Sequence, residues 1–169
     1  MTDTGQLARE LEALLAKVPH SREPQAASPI ARAGEIGKSA TLRTAAISSG
    51  LAMPRGAAGI LAILPDLLSV WHIQSVMVAD IAACYGKSHE LDSVKMAYCL
   101  FHHMDNKILW CEFPPLGKHA PTAESGHMLS KLARSVSGSW VPFLGAIGLG
   151  ALTAYDTDQV ARTARNVFG

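Results

Sequence analysis

Charge and aromatic side chains are both scarce in this sequence: charged residues make up 17% and Phe, Tyr and Trp 6% of 169 residues. A soluble domain usually carries about 25% charge, so an unusual share of the chain is suited to an interior. With few aromatics, that interior must be filled mainly by Ala, Leu, Ile, Val and Gly, the side chains of helices that approach closely. Charge of one sign is lacking too, with 15 Lys and Arg against 14 Asp and Glu. The basic residues are scattered, with no stripe interleaved with aromatics, which excludes nucleic acid as the main partner. No basic cluster flanks a hydrophobic segment, so a charge-driven anchor to anionic lipid is also unsupported.

Cysteine is sparse. Cys84, Cys99 and Cys111 form an odd set without a C-x-x-C pair, and each sits in an apolar context, which predicts buried thiols rather than a disulfide framework. The first residues, MTDTGQLARELEALL, have no basic region followed by an apolar one, so no secretory signal is expected. Together these predict a cytoplasmic setting, with the periphery of the inner membrane as the second possibility.

Period-2 alternation and Asn-Gly or Asp-Gly hairpin signals are absent as well, and helical signals run through the chain. Leu7, Leu11, Leu14, Leu15 and Val18 recur at helical spacing, with Arg9, Glu10, Glu12 and Lys17 on other faces, predicting an amphipathic helix within residues 1–20. Residues 21–29 lie in a proline-rich stretch without periodicity and are expected to be a linker or surface loop. The first helix is then an arm that docks on the rest of the chain or on a partner.

Ser28-Pro29 has the form of a helix start, Ser at the N-cap and Pro at the first helical position. The residues that follow are rich in small side chains. Ala33, Gly37, Thr41 and Ala45 recur every four residues and predict a smooth stripe for a close neighbour, a broken helix being the alternative. Glycine inside a helix costs about 1 kcal/mol relative to Ala. After a break at 53–56 come an apolar run, a Pro65-Asp66 step and a long helix ended by Gly86, a residue suited to the left-handed conformation. A further helix is expected at roughly 89–111 with Ser88 as N-cap, another at about 122–136, and a last one at about 141–168. These features predict an all-α compact helical bundle with Gly/Ala packing, in which 30–169 form one domain.

No run is a convincing membrane span. The longest charge-free stretch, SVSGSWVPFLGAIGLGALTAY, contains Pro142 and three serines, and its continuous apolar part is about 16 residues where about 20 are needed. The run 57–85 is interrupted by Asp66, His72, Gln74 and Asp80, each charge costing about 2.5–3.5 kcal/mol at mid-bilayer.

Catalytic motifs are missing. There is no G-x-S-x-G, G-x-x-x-x-G-K-[ST] or G-x-G-x-x-G, and the GKS at Gly37-Lys38-Ser39 lacks the first glycine and the preceding strand of a phosphate loop. Possible metal ligands are Cys99 and His103, four apart, with His102 and Asp105, three apart, and His72 and Asp80, eight apart. Cys and His suit zinc, but a structural site needs four ligands, and the alternative is a capped or solvated His102 and a core or interface His103. Asp66 would be satisfied in the first turn of a helix, whereas Asp80, in apolar surroundings, needs a partner. No cofactor is expected.

Two stretches together resemble the EcsC family of bacterial proteins: SSGLAMPRGAAGILAILPDLLSVWHIQSVMVADIAACYGKS and VPFLGAIGLGALTAYDTDQVARTARNVF. The matching features are Pro65-Asp66, Asp80 and the closing Tyr85-Gly86 in the first, and Pro142, Gly145 and Gly148 in the second, whose glycine spacing departs slightly from the family pattern. The resemblance covers residues 30–169. It implies an all-helical, membrane-associated or partner-binding protein and supplies no catalytic residues. The expected function is therefore that of a non-enzymatic interaction protein, an immunity or regulatory protein being one form, with a metal-dependent enzyme or metal-binding protein as the rival. The expected partner is a protein or a membrane surface.

Overall fold

A computed structural model describes residues 13–49, 57–103 and 149–169. All regular structure among them is helical: α1 (Pro29–Ser49), α2 (Ala57–Cys84), a 3-10 turn (Ser88–Glu90), α3 (Ser93–Phe101) and α4 (Leu149–Phe168). No strand occurs among the described residues, so the all-α bundle expected from periodicity is what forms.

α1, α2 and α4 make the frame. Gly37 lies against Ala161 and Thr44 against Thr157, so α1 and α4 are antiparallel. The Cys84 thiol lies 3.7 Å from the Pro29 carbonyl, and α2 likewise runs antiparallel to α1. The small-residue stripe on α1 is real, but its path differs from a strict every-four row. Four residues rotate 400°, overshooting a full turn by 40°, so such a row drifts off the contact. Ala33, Gly37, Ala40, Thr44 and Ser48 are the buried positions, while Thr41 and Ala45 are half-buried. At Gly37 an added Cβ would stand 3.1 Å from the Ala161 Cβ, the close approach that explains glycine in mid-helix.

The helix starts and stops follow local chemistry, with two corrections. Pro29 is the first residue of α1 as expected, and Gly86 has φ +74° just beyond α2. The expected cap at Ser88 is replaced by Asp92, whose carboxylate accepts from the Lys95 backbone N–H at 2.7 Å. Ser88 to Glu90 are taken by the 3-10 turn that reverses the chain after α2. The second correction concerns Pro65 and Asp66: α2 begins at Ala57 and runs through both, so Asp66 is not in a first turn.

The core is apolar and light in aromatics, as the composition required. Trp71 and Phe101 meet edge-to-face at 5.7 Å, joining α2 to α3, and Phe168 closes the far end among Ile81, Ala82, Val160 and Ala164. Leu15, from the helical turn at 13–16, is fully buried in this same cluster. The proline-rich stretch after it is bound to the bundle at several points. Ser21 donates to Asp80 at 2.5 Å, the Ala26 N–H donates to the Cys84 carbonyl at 3.0 Å, and Glu23 takes both Nε and Nη2 of Arg32. No helix among the described residues is long and apolar enough to cross a membrane.

Candidate functional site

The polar groups concentrate in two places, one inside the bundle and one on its surface. The inner cluster stands where α1, α2 and α4 meet the end of α3. Helical spacing on α4 turns Thr153, Asp156, Thr157 and Val160 to the same buried side, and Gln74 projects from α2 towards them. Gln74 donates through Nε2 to Asp156 Oδ2 at 2.6 Å and to Thr157 Oγ1 at 3.1 Å. The Thr157 hydroxyl donates to the Thr153 carbonyl at 2.7 Å and lies 3.0 Å from the Thr44 hydroxyl of α1. His103, in the turn after α3, places Nε2 at 2.5 Å from Asp156 Oδ1.

Each donor in this chain has an acceptor, which is what makes the burial affordable. Both N–H groups of Gln74 are used, and Asp156 takes one donor on each oxygen. Two atoms are left over among the described residues: Gln74 Oε1 and His103 Nδ1 are buried without a partner. An unsatisfied buried acceptor of this kind costs about 1–3 kcal/mol.

An Asp–His pair with a second ring nitrogen unoccupied is the orienting half of a general base or of a metal-ligating imidazole. Among the described residues the other half is missing. No described hydroxyl or thiol bonds to His103 Nδ1, and the Cys99 thiol is pushed up to about 12 by burial, with Lys95 opposing the shift. A thiol held so far towards its protonated form is no nucleophile at neutral pH. No group of three or more His, Cys, Asp or Glu among the described residues is placed to hold a metal ion.

The predicted ligands are therefore dispersed. α3 ends at Phe101, so the register that would align Cys99 with His103 stops short of His103, which turns to Asp156 instead. His102 stacks on Tyr98 at 4.3 Å, and burial together with the neighbouring His103 lowers its pKa. His72 is exposed on α2, and Asp80, two turns further along, is half-buried with Ser21 as its partner. Asp105, Pro142, Gly145, Gly148 and the expected helix at 122–136 lie outside the described residues, as does Cys111; Cys84 and Cys99 are buried free thiols. Tyr85 packs its phenol against Gly169.

Asp80 and His72 border the surface site, a groove of about 240 Å³ between α1 and α2. Ile36, Ala40, Ile73 and Met77 form its apolar floor. One end carries Glu23, Arg32 and Asp80; the other carries Arg43 and His72, whose side chains have no partner among the described residues. Arg32 is clamped between Glu23 and Glu35, and its hydrogen bonds hold the Glu23 carboxyl below its ordinary range against a smaller opposing effect of burial.

Sequence reasoning singled out Asp80, His72 and His103 but missed the residues that organise the inner cluster. Asp156 is the first charge after a 21-residue charge-free stretch and Gln74 the amide in the middle of an apolar helix, and both signals were present. What periodicity does not reveal is that they face each other. Comparison with protein-family models, with curated proteins and with solved structures returns no match to this chain.

Proposed function

We propose that the chain is a non-enzymatic helical interaction protein, EcsC-like in its sequence features, that packs against a partner protein or a membrane surface. The observation that carries this reading is the inner cluster, whose polar groups are spent on one another except for Gln74 Oε1 and His103 Nδ1. Gln74, Asp156, Thr157 and Thr44 join three helices through buried bonds, a use of polar residues that fixes packing rather than presenting reactive groups to a substrate. Arg43 and His72, whose side chains have no partner among the described residues, face outward beside an apolar-floored groove. Such a combination suits recognition.

The test is capture with the products of neighbouring genes as bait, comparing the wild-type chain with Arg43→Glu. Loss of a captured partner in a variant that still melts cooperatively supports the reading. Unchanged capture removes the groove from it. Flotation of cell fractions with vesicles, followed by a salt wash, tests the membrane version; a chain that stays entirely at the bottom of the gradient counts against it.

A metal-binding reading has one observation in its favour. The imidazole of His103 is oriented through Nε2 by a carboxylate, as metal-ligating histidines are, and Nδ1 has no partner among the described residues. Elemental analysis of the purified protein decides it, since the absence of stoichiometric metal ends that reading.

A further inference from the structure

Beside the groove, and sharing His72 with it, a larger trough of about 860 Å³ runs between the 13–20 segment and α2. Its floor is apolar, formed by Leu14, Val18 and Pro19 on one side and Leu68 on the other. Lys17, His20 and His72 stand on its rim, all three exposed and with side chains unpartnered among the described residues. No Asp or Glu is among the described residues that line it. The trough is thus apolar within and basic at its edge, in a chain whose acidic and basic residues otherwise balance.

We propose that this trough binds a single-chain anionic amphiphile, a long-chain fatty acid, with the acyl chain along the apolar floor and the carboxylate at Lys17, His20 and His72. Its volume lies within the roughly 300–1,000 Å³ of sites that enclose small-molecule ligands. The polarity is that of a carboxylate-bearing chain: methylenes gain from leaving water along the floor, and the charged head stays at the rim where one ammonium and two imidazoles can donate to it. A concave surface favours a monomer withdrawn from solution over an intact bilayer, which meets proteins on protruding apolar faces. The trough shares His72 with the α1–α2 groove, whereas Lys17 and His20 belong to the trough and Arg43 to the groove, so substitutions at those three positions separate the two sites.

The experiment is displacement of cis-parinaric acid from the full-length chain, below the aggregation concentration of each competitor. Saturable displacement by palmitate is expected, weakening about two- to fourfold for each methylene removed, with hexadecanol at least tenfold weaker than palmitate. Lys17→Glu and His20→Glu, both at exposed positions, are expected to weaken palmitate at least tenfold together while leaving the melting transition in place. Four results overturn the proposal, the last of them from the vesicle control. One is the absence of saturable binding. Another is equal affinity for the alcohol and the acid. The third is binding that emerges only in a Leu7→Asp/Leu11→Asp variant, which would mean that the chain's own first residues fill the trough. Sedimentation with phosphatidylglycerol vesicles is the control: displacement by vesicles but not by monomeric palmitate would also overturn it, in favour of surface adsorption.

Discussion

Gly37 of α1 and Ala161 of α4 are so close that a β-carbon on the glycine would stand 3.1 Å from the alanine's. The contact lies midway along the antiparallel pair, with Ala33 and Ala40 buried beside it on α1 and Val160 and Ala164 on α4. Two opposed effects meet there. Replacing Gly37 by Ala recovers about 1 kcal/mol of helix propensity and forces the neighbour to yield by a few tenths of an ångström. Gly37→Ala is therefore expected near neutral. Gly37→Leu should destabilise by about 1–3 kcal/mol or more through overpacking, and Ala161→Gly should return part of that loss. Urea denaturation of the two single variants and the double measures the coupling.

Asp156 is the hub of the inner cluster, and its removal leaves two donors stranded. In Asp156→Ala both Gln74 Nε2 and His103 Nε2 lose their carboxylate oxygen. Each buried donor left without its acceptor costs about 1–3 kcal/mol. Chemical denaturation should show that loss. If Asp156→Ala and Gln74→Ala were each to cost less than about 1 kcal/mol, the cluster would not be holding the helices together.

The two described thiols should be inert in the folded protein. Cys99 has its thiol pushed up to about 12, and burial also raises that of Cys84, helped by the nearby Glu23 carboxylate. Alkylation by iodoacetamide at pH 8, mapped to individual cysteines by mass spectrometry, should leave both unmodified in native buffer and label both in denaturant. Rapid native labelling of Cys99 would contradict its burial.

The Glu23–Arg32 pair predicts an acid-side loss of stability. The Glu23 pKa is lowered in the folded chain from its ordinary 4.5, so the unfolded chain binds a proton first as pH falls. The contribution is fully present above about pH 4.5 and is lost as pH drops through the depressed folded value. The Arg32 side chain is 43% exposed and that of Glu23 19%, so solvent screens the pair and the effect is small. Melting temperatures of the wild-type chain and Glu23→Gln should differ by a constant amount above about pH 5.5 and converge in acid. A gap that widened below pH 4 would reverse the assignment.

Much of the bundle was legible because helical periodicity and punctuation act locally. Pro29 and Gly86 mark boundaries through their own backbone preferences, and these appear where they were expected. Ser88 and Asp92 show the limit of that reasoning, since either can cap a helix and the tight turn after α2 decides between them. The small-residue stripe was visible as a composition, but its buried path depends on helical drift that an every-four count ignores. The described candidate ligands show the same limit. His72, Asp80 and Cys99 were grouped by spacing along single helices, whereas the contacts that formed pair residues as distant as His103 and Asp156 or Ser21 and Asp80. Such pairings depend on which helix faces meet, and a single sequence carries that information only weakly.

The proline-rich stretch before α1 reads by composition as a spacer, but its bonds give it another standing. It supplies the hydroxyl on Asp80, the amide on the last carbonyl of α2, and the carboxylate that clamps Arg32. A shortened chain beginning at Pro29 would strip α2 of a terminal hydrogen bond and Asp80 of its donor, and would remove Leu15 from the core as well. Residues 15–26 are therefore part of the packed unit to which α1 belongs, and not a spacer ahead of it.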